Sequence, residues 1–243
     1  MIRFKETVES TQDEMKILLK SGSFVPHLEA IRANTQTGGR GRMGREWVSR
    51  AGNLYASILI RDYSMPVTWI PHWIATTAMN VLEGMNLPLT ALRVKWPNDL
   101  MYRGEFKLGG ILCEKVEDGV IAGIGINIVS SPVLKERKAI SIEEAFPGAV
   151  YPEFAEVALE QMLEALNHEP SMAELRFQYE RHSLYRTGDP ITWTDPRSGT
   201  GGAGTYVSIG EHGELLVEAL EQGVPVRRAL YSEEVTGTRR AKA

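Results

Sequence analysis

Cysteine is all but absent from this sequence. Cys113 is the only one in 243 residues, so no intramolecular disulfide can form and a cysteine-rich metal site is excluded. It follows Ile111 and Leu112 in an apolar stretch and reads as a core thiol. The five histidines, His27, His72, His168, His182 and His212, are scattered with no metal-ligand spacing. Long apolar runs are missing too. Leu54–Ile60 and residues 121–129 are far too short to span a bilayer, and Arg3, Lys5, Glu6 and Glu9 break up the N-terminus. The expectation is a reduced, cytoplasmic protein with no membrane partner. Positive charge is not in excess either. A formal net charge of −4 argues against non-specific binding to DNA or RNA. No Ser-His-Asp or Cys-His constellation stands out.

What is present is the composition of an ordinary globular chain, 43% hydrophobic and 24% charged, long enough to bury a core without disulfides. Thr11 followed by Glu14 reads as a capping box opening a helix, with Met15, Leu18 and Leu19 at helical spacing and Gly22 as its stop. Residues 28–33 read as a strand and 34–46 as a loop. Leu54, Ala56, Ile58 and Ile60 alternate along a strand over residues 53–60. A helix is expected over 69–85, with Pro71 tolerated in its first turn. Strands follow at 92–96, 101–102 and 106–108. Two more, at 110–116 and 120–129, are joined by a turn at Glu117-Asp118-Gly119. Two helices are expected at 153–167 and 171–182. From Gly188 onward the pattern changes to short strands at 190–194, 205–209, 214–219 and 224–230, divided by glycine-rich turns at 199–204, 212–213 and 222–223. That spacing suggests a small β-barrel module. Three regions are expected: a core over 1–185, a β module over 186–237 and a frayed tail over 238–243.

Four segments carry chemistry. The first is Gly39-Arg40-Gly41-Arg42-Met43-Gly44-Arg45-Glu46-Trp47, in an otherwise acidic chain. Its glycines free the backbone to form an anion-binding nest, and its arginines offer planar, bidentate donors for carboxylate or phosphate. No Gly-Lys-Ser/Thr follows, so it is not a P-loop. Taken alone it also fits a flexible basic loop or an RNA-binding arginine-glycine segment. The second is Lys95-Trp96-Pro97-Asn98-Asp99-Leu100, where Asn98 and Asp99 sit at a strand-to-turn bend or in a plain turn. The third is Lys107-Leu108-Gly109-Gly110-Ile111-Leu112, where alternation puts Lys107 and Gly109 on one face, leaving room for a ligand against the backbone. The fourth, Gly123-Ile124-Gly125-Ile126-Asn127, is a glycine-thinned apolar strand ending on an amide.

In this order, preceded by Ser10-Thr11-Gln12 and with Gln36 before the arginine-glycine loop, the segments resemble the biotin protein ligase family over about residues 7–129. The resemblance implies an α+β fold: a mixed, mostly antiparallel sheet with helices on one face, plus a small C-terminal SH3-like barrel. It implies a ligase that makes biotinyl-5′-AMP from biotin and ATP, with Mg²⁺, and then biotinylates a lysine of a biotin carboxyl carrier domain. By the same resemblance Ser10, Thr11, Gln12 and Gln36 contact biotin. Arg40, Gly41 and Arg42 form the loop that closes over biotin and its adenylate, and Gly109 adds to the biotin surface. Arg42, Arg45, Trp47, Asn98 and Asn127 are expected at the nucleotide, with Asp99 as the candidate Mg²⁺ ligand. Lys107 is expected at the reacting carboxylate and α-phosphate, so that Lys107, Arg40 and Arg42 are the catalytic candidates. Gln12 departs from the family's usual asparagine, and contacts from the C-terminal module do not carry over.

Adenylation fits the absences noted above. A carboxylate must be activated before an amine can attack it, and a site that positions reactants and neutralises charge needs no protein nucleophile. A lipoate or octanoate ligase or transferase of the same fold is the alternative. Members of the family that act as repressors carry an N-terminal helix-turn-helix domain, for which this sequence has no room, so no DNA partner is expected. A homodimer is among the arrangements left open.

Overall fold

The structure, a computed structural model, describes residues 1–117, 119–133, 138–195, 198–231 and 234–237. The expected tail at 238–243 and Asp118 of the expected hairpin turn lie outside these residues.

The chain opens with β1 (Ile2–Val8), α1 (Thr11–Lys20) and β2 (Ala30–Gln36). β1 and β2 are parallel, with Ile2 opposite Ala30 and Val8 opposite Gln36, so α1 is the crossover between them. The cap of α1 differs from the capping box anticipated at Thr11. Ser10 is the extended residue before the helix, and its carbonyl accepts from Glu14 N at 3.0 Å. Thr11 is already helical. Its backbone N–H donates to Oε1 of Gln36 at 2.9 Å, so a side chain from the next strand satisfies an otherwise orphaned helix donor.

Next come β3 (Leu54–Ile60), α2 (Ile70–Gly84), β4 (Leu92–Lys95), β5 (Asp99–Tyr102), β6 (Phe106–Val116) and β7 (Gly119–Ile126). With β1 and β2 they form a seven-stranded sheet in the order β1-β2-β3-β7-β6-β5-β4, antiparallel except for the first pair. A four-residue helix α3 (Ile142–Ala145) and the longer α4 (Phe154–Leu166) and α5 (Met172–His182) follow. Leu54, Ile58 and Ile60 pack with Ile74 and Ala78 of α2 and Leu159 and Met162 of α4 in one large core. The expected layer of helices on one face is therefore there, but α1 lies on the other face. Met15 joins Val25, Ile31, Leu59 and Ile121 in a second cluster. Both faces of β3 are thus covered, and all seven of its residues are buried. Because α1 is only ten residues long, it covers part of its face and leaves the rest open.

The second sheet contains β8 (Pro190–Thr194), β9 (Gly201–Ile209), β10 (Leu215–Glu221), β11 (Val224–Leu230) and β12 (Glu234–Gly237). All its pairings are antiparallel, in the order β11-β10-β9-β8-β12. Among the described residues β11 and β12 remain its two edges, so the strand set anticipated for a small barrel is present as an open sheet. The glycines expected in a turn at 199–204 partly belong to β9. A Cβ on Gly202 would stand 2.4 Å from the Trp193 ring, and one on Gly204 2.2 Å from Glu218 O. These glycines serve close packing inside a strand.

The two sheets share one continuous core, which contains Ile191, Tyr206, Leu215 and Val217 alongside the residues of α2 and β4. Three ring N–H groups also hold the turn between β9 and β10. Trp69 Nε1 donates to Glu211 O at 2.7 Å, Trp96 Nε1 donates to Gly213 O at 2.9 Å, and His72 Nε2 lies 3.0 Å from the same oxygen. No helix among the described residues is long and apolar enough to cross a membrane.

Candidate active site

A cavity of about 900 Å³ opens on the α1 face of the large sheet. Its floor follows from strand register. Gly110 on β6 pairs with Gly125 on β7, which pairs with Tyr55 on β3, and one step along Leu112, Gly123 and Ser57 line up. Three glycines on adjoining strands leave bare backbone where side chains would otherwise fill the space.

The inner end is rich in amides and hydroxyls. Ser10, Thr11 and Gln12 at the start of α1 are each at most 4% exposed. The Thr11 hydroxyl accepts from Ser57 Oγ at 2.9 Å and donates to Gln36 Oε1 at 3.2 Å. Gln36 Nε2 donates to Ser49 Oγ at 2.9 Å. Gln12 lies over Gly123, where a Cβ would meet its Cδ at 3.2 Å. Its Nε2 donates to Leu112 O at 3.2 Å, while its Oε1 is buried without a hydrogen-bond partner. An unpaired buried acceptor is costly, and Gln12 is among the residues that line the cavity.

The arginine-glycine loop lines the cavity through residues 40–43 and 45–47. It folds as a small hairpin, with Trp47 N donating to Gly39 O at 2.9 Å and Gly41 N to Arg45 O at 2.7 Å. Its tip is the 3-10 turn Arg42–Gly44, where Met43 adopts φ +59° and Gly44 φ +70°. Trp47 lies on the glycine floor. A Cβ on Gly125 would stand 2.7 Å from Cε2 of its ring, and one on Gly110 3.4 Å from Cζ3.

The outer end gathers charge. Lys107 Nζ donates to Asp99 Oδ1 at 2.6 Å and stands 5.2 Å from the centre of the Trp47 ring. Arg42 Nη1 reaches Asn98 Oδ1 at 3.4 Å. Asn98 Nδ2 in turn donates to Ile111 O, tying the Pro97-Asn98-Asp99 bend to β6. The Trp96–Pro97 peptide bond is cis. Arg45, Lys95, Glu105 and Lys138 complete this end, and Val235 of β12 brings the second sheet to the cavity wall.

Most of the residues singled out in the sequence therefore converge on one cavity, with three corrections. Gly109 does not line it. The register of β5 on β6 shifts by one residue, so that Leu100 pairs with Gly109 but Met101 with Lys107. This bulge breaks the assumed alternation and turns Gly109 towards Leu100 and Ile126 in the core, while Gly110 takes the place beside Lys107. Asn127 is likewise outside the lining. It is 2% exposed, and its Nδ2 donates to Ile140 O at 3.2 Å, bracing the 138–142 segment. Arg40 lines the cavity, but both its terminal nitrogens are held by Asp13, at 2.5 and 2.7 Å. That bond holds the Asp13 carboxyl below its usual range. Cys113 does not line the cavity, and burial pushes its thiol up to about 12. No cluster of three or more metal-ligating side chains occurs among the described residues.

Bare backbone for an apolar ring, buried amides at one end and lysine with arginines at the other define a site for an elongated small molecule with a polar head and an acidic tail. The chain belongs to the biotin/lipoate A/B protein ligase family, whose sequence model matches residues 5–129, more than half of it. It is 34% identical over 141 residues to a biotin–[acetyl-CoA-carboxylase] ligase of Mycobacterium tuberculosis, aligning 55% of this chain with 51% of that one. The aligned region thus spans about half the length of that relative. A ligase of the same name from Paracoccus denitrificans is 28% identical over 223 residues, 83% of this chain and 89% of that one. Among solved structures, a biotin protein ligase from Aquifex aeolicus in complex with biotin and ATP superposes with a TM-score of 0.78 at 26% identity, covering 98% of this chain and 99% of that one.

Proposed function

We propose that this protein is an ATP-dependent biotin ligase. The biotin carboxylate attacks the α-phosphorus of ATP, pyrophosphate leaves, and biotinyl-5′-AMP remains. The ε-amine of a lysine on a biotin carboxyl carrier domain then attacks the acyl carbon. An amide forms, AMP leaves, and the amine gives up a proton. In this reading Lys107, Arg42 and Arg45 stabilise the charge that grows on the phosphate oxygens, as fixed cations do in such a transition state. Trp47 and Asn98, which line the outer part of the cavity, are assigned to the nucleotide side. Mg²⁺ brought by ATP needs few protein ligands; Asp99 would supply a carboxylate to hold it, and the ion would supply the charge that neutralises the departing pyrophosphate. The reading includes a cytoplasmic setting, where ATP is supplied.

One observation favours biotin over lipoate or octanoate, which the family also accommodates. The unpaired Oε1 of Gln12, on a side chain that lines the cavity together with Thr11 and Gln36, would suit an N–H group of a cyclic urea. An apolar acyl head would leave that acceptor unsatisfied, and sites built to hydrogen-bond a ligand reject analogues that lack the donor. The test is incubation with ATP, Mg²⁺, a carrier domain, and biotin in competition with lipoate and octanoate, scored by the mass of the carrier. A biotinylated carrier is expected. A carrier bearing lipoate or octanoate, with biotin ignored, would overturn the assignment.

A further inference from the structure

We propose that Asp13 is a positioning residue that latches the arginine-glycine hairpin shut as a lid over the cavity. The inference rests on the biotin-ligase reading for its catalytic consequence, though not for the latch itself. Asp13 stands in the first turn of α1, immediately after Ser10, Thr11 and Gln12. Its two oxygens take both terminal nitrogens of Arg40, at 2.5 and 2.7 Å, in the paired geometry that gives arginine–carboxylate contacts their directionality. Arg40 lies in the first arm of the lid hairpin, bridged to Glu46 in the second. A grip on Arg40 therefore holds the whole hairpin, including Trp47, whose N–H bonds Gly39 next to Arg40.

The lid has two fastenings of different kinds. Trp47 rests on the glycine floor by apolar contact, and Arg40 is tied by charge to the helix whose first residues form the polar inner end. Lys16 joins the second fastening, 3.8 Å from Asp13 and 3.1 Å from Glu114, so the carboxylate is flanked by two cations and held in place. On this reading Arg40 serves geometry, and charge stabilisation falls to Arg42, Arg45 and Lys107. A lid tied to α1 closes directly over whatever Ser10, Thr11 and Gln12 bind, which keeps water from a reactive anhydride.

Asp13→Asn keeps the size of the side chain and removes its charge. Arg40→Gln cuts the same tie without touching α1. The first readout needs no substrate: limited trypsin digestion of the free protein, followed at Arg42 and Arg45. Since a half-exposed ion pair is a modest restraint, both variants should be cut roughly five-fold faster than the parent. The exchanged pair, Asp13→Arg with Arg40→Asp, should recover most of the protection. The second readout is biotin transferred to a bystander protein in the absence of carrier. It should rise in both single variants and fall again in the exchanged pair, while KM for biotin rises more than kcat falls. Cleavage at the parental rate in both single variants, or an exchanged pair no better protected than either, would overturn the latch. A parent protein that never transfers biotin would instead overturn the functional reading and leave the digestion result to judge the latch.

Discussion

Gly125→Ala tests whether Trp47 forms the wall of the cavity. The new methyl group would stand 2.7, 2.8 and 2.9 Å from Cε2, Cζ2 and Nε1 of the Trp47 ring. Carbon atoms in contact settle about 3.5–4.0 Å apart, so one side must move by about 1 Å. β7 is poorly able to yield, being hydrogen-bonded between β3 and β6 along its length. The lid can move, since it is a short hairpin at the cavity mouth. The cost therefore falls on lid closure. Overpacking of this kind costs about 1–3 kcal/mol, which corresponds to roughly 5- to 150-fold in ligand affinity. Titration calorimetry with biotin, alone and with ATP, should show that loss. The melting temperature of the free protein should change little, because the ring can swing aside. The Trp47→Ala background makes the test specific. With the ring gone the methyl group no longer meets it, and adding Gly125→Ala should weaken binding little further. A Gly125→Ala effect of equal size with and without Trp47 would refute the assignment of the ring to the wall.

Three further outcomes are expected. Lys107→Ala should slow adenylate formation about 10²–10³-fold, the usual loss for one transition-state charge partner, with an unchanged circular dichroism spectrum; pyrophosphate release near the parental rate would make Lys107 merely the partner of Asp99. Biotin with ATP should slow tryptic cleavage after Arg40, Arg42 and Arg45, and equal rates with and without ligand would show that the hairpin does not act as a lid. Burial holds the His72 imidazole down to about 4, against an ordinary 6.5, so the unfolded chain takes up a proton there before the folded one does. Stability should be greatest above pH 6.5, fall by about 3 kcal/mol as pH drops towards 4, and level off below. His182, also held down to about 4 mainly by burial, acts in the same direction. Urea unfolding at pH 7 and pH 5 should show the fall and His72→Gln should reduce it; an equal fall in that variant would refute the role given to His72.

The parts of the site legible in the sequence are those whose chemistry is carried by short, contiguous patterns. Glycine and arginine interleaved over 39–45 announce a backbone-lined, basic loop, and Asn98, Asp99 and Lys107 lie close enough in sequence for one hairpin to bring them together. What was not legible depends on register or on distant partners. A single-residue bulge at Leu108 exchanges the roles of Gly109 and Gly110, and periodicity cannot show where a ladder slips. β1 was missed because its five central residues, Arg3 to Thr7, are exposed at a sheet edge and carry no alternation of burial. The position of α1 opposite the other helices follows from the parallel pairing of β1 with β2, which no local pattern encodes. Asp13 looks like an ordinary acidic residue in a first helical turn until Arg40 is seen beside it. Val235 meets the cavity across most of the chain's length.

The turn at Glu211–Gly213 bears on how short a chain of this design can be. Trp69, His72 and Trp96 each direct a ring nitrogen at carbonyls of that turn, and their side chains are at most 3% exposed. Trp96 belongs to the same short segment as Asn98 and Asp99. Cutting the chain before β8 would put these rings into water, and each buried aromatic side chain represents about 150–250 Å² of surface. It would also remove the acceptor that fixes Trp96, two residues from Asn98 at the charged end of the cavity. The second sheet thus braces the Trp96–Asp99 segment from behind, and a shortened chain would have to keep that turn or replace its carbonyls.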